Sequence, residues 1–95
     1  MGKKASAVID DMKSCYVCGS PYIEIHHIIH GTANRKISDR YGYIMPLCHE
    51  HHQGDTGIHY DKNFSIKMKQ MCQEHFEKHH GSRTDFIHTF GKSYL

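Results

Sequence analysis

Two stretches rich in β-branched and aromatic residues, 22–29 (Tyr-Ile-Glu-Ile-His-His-Ile-Ile) and 41–47 (Tyr-Gly-Tyr-Ile-Met-Pro-Leu), stand out from a largely polar chain. The first is bounded by Pro21 and Gly31 and partly alternates, which predicts a strand. The second predicts another extended segment, whose end Pro46 confines to a sheet edge because proline has no N–H for a ladder. Together they predict a hairpin around a polar loop over 31–40. From position 64 to 79, Met68, Met71, Cys72, His75, Phe76 and His79 recur at helical spacing, and Gly81 stands where such a helix ends. Met68, Met71 and Phe76 are its core stripe beneath the hairpin, and Cys72 on the same face reads as a small core residue. Ser82-Arg-Thr-Asp85 predicts a capping box opening a short helix, with Phe86, Ile87 and Phe90 on one face and Gly91 as its stop. Residues 1–13 are polar and are expected to form a flexible N-terminal tail, leaving 14–95 as one α+β domain.

Composition adds a difficulty. A 95-residue chain makes one small domain, and its 38% hydrophobic content lies below the roughly 45–50% of an average domain, with no Trp to anchor a core. A staple is expected. The chain carries 11 His and 4 Cys, the two side chains that ligate zinc and related metals best, so metal is the leading staple. A formal charge of +2 excludes a strongly basic coat for nucleic acid but permits a local basic patch. No apolar run approaches the roughly 20 residues of a membrane span and no signal peptide is expected, which reads as a cytosolic chain with reduced thiols.

Cys15-x2-Cys18 and Cys48-x2-His51 are two pairs, each spaced so that a single turn aims both side chains at one tetrahedral ion. They lie at the outer ends of the expected hairpin, where one structural zinc would clamp its beginning to its end. His26, His27, His52 and His59 then remain near strand ends or beside the second pair. Neighbouring histidines on a strand project to different sides, so one of His26 and His27 can hold a metal while the other addresses a substrate. A divalent ion on imidazoles polarises a phosphate, and a free imidazole takes a proton from water; these are the parts of a one-metal phosphodiesterase. Arg35, Lys36 and Arg40 form the densest basic segment and are expected to contact the phosphates of DNA without reading its sequence. His30 is placed to reach the same nucleic acid, His75, His79 and His80 are expected on the surface of the long helix, and His49 has no assigned role.

Cys15-x2-Cys18, then Glu-Ile-His26-His27-Ile, then Pro-Leu-Cys48-x2-His51-His52 resembles the HNH, or His-Me finger, nuclease pattern with a zinc knuckle, over roughly residues 15–60. The stretch running from His26 through Ala-Asn-Arg-Lys-Ile-Ser-Asp-Arg-Tyr-Gly to Gly57-Ile-His59, with the Phe90-Gly-Lys-Ser-Tyr-Leu95 ending, is similar to phage recombination-enhancement nucleases that depend on a RecA filament, and to small prophage proteins like their nuclease core. The resemblance implies a ββα-metal fold followed by a long and a short helix. It implies His26 as a ligand of the catalytic metal, His27 as the general base, and His52 as a second ligand. The last ligand falls to His59, seven residues after His52, because Thr56 stands where many members have that histidine. Tyr43 stands where the family has its central Asn, five residues before Cys48, leaving Asn34 or Asp39 as replacements for its bracing role.

The function expected is therefore a metal-dependent DNA endonuclease, phage or prophage encoded, acting in the bacterial cytoplasm and leaving 5′-phosphate and 3′-hydroxyl ends. A structural zinc and a catalytic divalent ion (Mg²⁺, Mn²⁺, Ni²⁺ or Zn²⁺) are its cofactors, and the all-histidine set suits transition metals better than Mg²⁺. DNA and a RecA-type recombinase filament are its expected partners. The alternatives are a non-catalytic zinc module that binds nucleic acid or protein, and a metal-storage or sensor protein. A binding module needs only the four knuckle ligands, and the dispersed positions of the extra histidines disfavour storage.

Overall fold

The computed structural model of the chain describes residues 5–30, 33–55 and 57–95. In order come β1 (Glu24–His27), α1 (Asn34–Tyr41), β2 (Ile44–Leu47), α2 (His49–Gln53), α3 (Lys62–His79) and α4 (Arg83–Phe90). This is a small α+β arrangement. β1 and β2 pair antiparallel with Glu24 opposite Leu47 and His27 opposite Ile44, shorter than the 22–29 and 41–47 segments expected. Pro46 lies opposite Ile25, and its carbonyl accepts the Tyr16 N–H at 2.9 Å. A proline is tolerated there because its backbone groups face away from the partner strand.

The basic segment expected as a loop is instead the helix α1. Ile37 and Tyr41, four residues apart, pack on the core, and Ser38 between them is buried. Gly42 closes the helix at φ 78°, a left-handed conformation that glycine adopts without steric cost. A Cβ at Gly42 would also approach the Ala7 nitrogen to 3.0 Å, and that nitrogen donates to the Gly42 carbonyl at 2.7 Å. The described part of the 1–13 segment is accordingly no free tail. The Ser6 hydroxyl accepts from the Val8 and Ile9 N–H groups, and Ile9 enters the core. Residues 1–4 of that segment lie outside the described residues.

α3 begins at Asp61, whose carboxylate accepts the Phe64 N–H, and buries Met68, Cys72 and Phe76 beneath the hairpin as the spacing predicts. His75 departs from the expected surface position. It is half-buried, with Nδ1 3.1 Å from the hydroxyl of buried Tyr43. α4 carries the full capping box: the Ser82 hydroxyl accepts from Asp85 N–H and the Asp85 carboxylate from Ser82 N–H. Phe86 and Phe90 are buried against Phe76, whereas Ile87 is exposed. Gln73, wholly buried in α3, accepts the Tyr94 N–H at 2.7 Å and donates to the Ser93 hydroxyl at 3.0 Å, fastening the last residues to the helix. Among the described residues no helix is long and apolar enough to cross a membrane.

Replacing Phe86, 0% exposed, with Ala removes a ring from this core and is expected to cost about 3–5 kcal/mol of unfolding free energy. Ile87→Ala, one position along the same helix, should cost well under about 1 kcal/mol beside it. Urea denaturation of the two variants checks the contrast; equal losses would mean that α4 packs by another face.

Candidate functional site

The two ligand pairs of the knuckle converge beyond the Glu24–Leu47 end of the ladder. Cys15 and Cys18 lie in a turn closed by Gly19 N–H on the Cys15 carbonyl, with Cys15 N–H donating to Ser20. Cys48 is the N-cap of α2, and His51 lies in its first turn. The Sγ atoms of Cys18 and Cys48 are 3.7 Å apart, and Nδ1 of His51 is 3.7 Å from Cys15 Sγ and 3.2 Å from Cys48 Sγ. Four ligands around a tetrahedral zinc, at about 2.3 Å to sulfur and 2.1 Å to nitrogen, would be separated by roughly 3.6–3.8 Å. The set fits one ion, with all four ligand atoms within 4.8 Å of one another. Burial pushes the Cys15 thiol up, but the backbone N–H groups of Cys48, Cys18 and Val17 outweigh it and bring the thiol down to about 6, towards the thiolate that a metal requires. Cys72 is no part of this; burial pushes its thiol up, as for an inert core cysteine.

A second group forms on the other side of α2. His26 comes from β1, His52 from α2 and His59 from the turn before α3, and their ligand nitrogens lie within 4.8 Å of one another. Consecutive residues of a helix point about 100° apart, so α2 sends His51 to the knuckle and His52 to this cluster. His59 arrives by a turn in which Gly57 N–H donates to Gly54 and Ile58 N–H to His51, with Ile58 buried as the anchor. A Cβ at Gly57 would meet the Glu50 carbonyl at 2.9 Å, so the close return of the chain here needs a glycine. Thr56 lies outside the described residues.

His26 is 2% exposed, and its Nε2 has no hydrogen-bond partner. A buried imidazole nitrogen without a partner is costly unless something else supplies the contact. With two further imidazoles facing it, a cation with vacant coordination positions is the group that fits. Burial, reinforced by His52, His59, His30 and His27, pushes His26 down to about 3, so its ring is neutral and keeps a lone pair for a metal. Burial and His52 also lower His59.

Glu24 is the residue that sequence reasoning missed. Its carboxylate accepts from Nδ1 of His52 at 2.7 Å and Nδ1 of His49 at 2.9 Å, with the Gln53 amide at 3.3 Å. These contacts, His49 first and then His52, hold Glu24 down to about 2. A carboxylate on Nδ1–H fixes the tautomer of His52 and leaves Nε2 as the ligand atom. His49 thereby acquires a role as the second clamp on Glu24. A lone Glu on a strand gives no sequence signal for this; only its position opposite α2 does.

The cluster opens into a cavity of about 380 Å³ that also includes His27, His30, Arg35 and Gln53. Nε2 of His27 is 3.5 Å from Oδ1 of Asp39, an ion-pair distance. Of the two residues considered for the bracing role, Asp39 lies beside His27, whereas the Asn34 amide donates to the Phe90 carbonyl. The neighbouring Ser38 hydroxyl donates to the Ile29 carbonyl at 2.6 Å, and Tyr43 accepts the Ile28 N–H through its backbone, so α1 and β2 brace the end of β1. Of the three basic residues expected beside the metal, only Arg35 lines the cavity. Lys36 and Arg40, four apart in α1, occupy an adjacent exposed face.

No family model, curated protein or solved structure matches the chain. Its chemistry rests on the residues themselves.

Cys18→Ser should lower the zinc content below one per chain and lower the melting temperature by several degrees, read by elemental analysis and calorimetry. Glu24→Gln should leave the knuckle zinc in place and weaken Co²⁺ or Ni²⁺ binding at the histidine cluster by about 10- to 100-fold in a spectroscopic titration. Unchanged affinity would remove Glu24 from the site.

Proposed function

We propose that this chain is a metal-dependent DNA endonuclease that hydrolyses phosphodiester bonds with a histidine-activated water. One observation carries this reading. Adjacent residues of β1 divide into a buried, partnerless His26 nitrogen within a three-histidine cluster and a half-buried His27 paired with Asp39, both opening on one cavity. His26, His52 and His59 would hold a divalent ion, which would supply charge to polarise the phosphate and stabilise the leaving oxyanion.

The remaining work belongs to the chain's own side chains. Asp39, facing Nε2 of His27, holds the ring and stabilises the imidazolium that forms, leaving Nδ1 to accept the proton of the attacking water. As the water oxygen bonds to phosphorus, the bond to the 3′ oxygen breaks and that oxygen takes a proton from solvent, giving 5′-phosphate and 3′-hydroxyl ends while His27 later returns its proton to solvent. Arg35 in the same cavity pairs with the non-bridging phosphate oxygens and fixes the scissile bond against His27. A module that only binds nucleic acid through its knuckle has no use for the second cluster and would leave the His26 nitrogen buried without a partner. The resemblance to recombination-enhancement nucleases supports a phage or prophage setting and a RecA-type filament as partner.

In a supercoiled-plasmid nicking assay with Mn²⁺ or Ni²⁺, His27→Ala should fall by about two to four orders of magnitude with folding and metal content unchanged. His52→Ala, which removes a ligand, should regain part of its activity at raised metal concentration, while His27→Ala should not. Near-native nicking by His27→Ala would sink the assignment of the base.

A further inference from the structure

A second basic surface adjoins the histidine cavity. Lys62, Ser65, Ile66 and Lys69 of α3, with Ile58, line a depression of about 260 Å³ that shares His30 and His59 with it. Lys62 and Lys69 are seven residues apart, two turns of one helix face, separated by about 10.5 Å along the axis. A third cation joins them from the end of the chain: Nζ of Lys69 and Nζ of Lys92 lie 5.3 Å and 5.4 Å from the centroid of the Tyr94 ring. The attachment of Ser93 and Tyr94 to Gln73 keeps Lys92 at this place. Burial and the charge of Lys92 both lower the Lys69 ammonium, as expected where cations are gathered without counter-charge. Among the described residues no carboxylate lies within ion-pair distance of Lys62, Lys69 or Lys92, although Glu24, Asp39 and Glu77 all have cationic or imidazole partners.

We propose that Lys62, Lys69 and Lys92 form a phosphate-binding track that holds the DNA strand flanking the scissile bond, with His30 as the bridge from the three-histidine cluster. A span of about 10.5 Å equals roughly three steps at about 3.4 Å of rise per nucleotide, so Lys62 and Lys69 meet phosphates about three positions apart on one strand. Ile66, 41% exposed between them, offers an apolar contact to the sugars. The strand therefore leaves the cavity over α3, and Lys36 and Arg40 on α1 contribute less than their density in the sequence suggests. The direction of the strand rests on the nuclease reading; the phosphate track itself does not.

The test is fluorescence anisotropy of a labelled 20-base-pair DNA duplex across a salt series, with zinc-loaded protein and no second metal added, beside plasmid nicking of the same preparations. Lys62→Gln/Lys69→Gln should weaken binding about tenfold or more at 0.1 M salt. It should also reduce the slope of log affinity against log salt by about 1.8, two contacts at about 0.9 each. Lys67→Gln removes one positive charge from the same helix, half the change of the double variant, but Lys67 lines a different cavity, with Val17 and Phe64, and this variant should behave as wild type. Lys69→Arg should keep both affinity and slope, which separates charge from packing against Tyr94. An unchanged slope in the double variant, or an equal loss in Lys67→Gln, overturns the track, as does a wild-type protein that binds no duplex, whatever its nicking activity. Binding with the expected slopes but without nicking upholds the track and overturns the nuclease reading.

Discussion

Everything in this small domain depends on bringing the two ends of a four-residue ladder to one point. β1 and β2 are too short to define a register by their own hydrogen bonds, and an isolated hairpin of that size is at best marginal in water. The convergence of Cys15, Cys18, Cys48 and His51 answers this outside the sheet, where a single ion held by the four would tie the chain before β1 to the chain after β2. The same tie would orient α2, since Cys48 is its cap and His51 lies in its first turn.

From that orientation the second cluster follows. His52 is the next residue of α2, and its direction relative to His51 is fixed by helix geometry alone. Glu24, the first residue of β1, reaches across to its Nδ1, so strand, helix and candidate ligand become one rigid unit. Strand alternation then separates His26 from His27, and α1 supplies Asp39 and Ser38 against the end of β1. The histidine cavity is thus assembled from short elements that would have little stability apart.

Features with a local chemical signature were legible in the sequence. Paired ligand spacings marked the knuckle, a 3.6-residue stripe marked α3, and Ser82 with Asp85 marked the start of α4. α1 was not legible, because its cap residue, Ala33, makes no side-chain cap bond and only Ile37 and Tyr41 among its eight residues are apolar. Tertiary contact with the core makes it a helix. Ile9 shows the same limit: one apolar residue in a polar segment gives no periodicity, yet it is buried once Ala7 bonds to the turn at Gly42. Glu24 became recognisable only when the fold placed it beside His52, and the choice between Asn34 and Asp39 could not be made from sequence, since lone side chains of this kind carry no spacing.

Pro46 has a consequence for how copies of this chain can meet. An exposed strand edge is a template on which another chain can build a ladder. At the centre of β2, the outward position that would offer such a template has no N–H, because it is proline, and its carbonyl is already taken by Tyr16 from the knuckle turn. A growing sheet would find neither donor nor free acceptor there. The residue set within the ladder opposite Ile25 thus also closes β2 to strand-by-strand aggregation, so copies of this chain carry little risk of zipping together along that edge when they crowd.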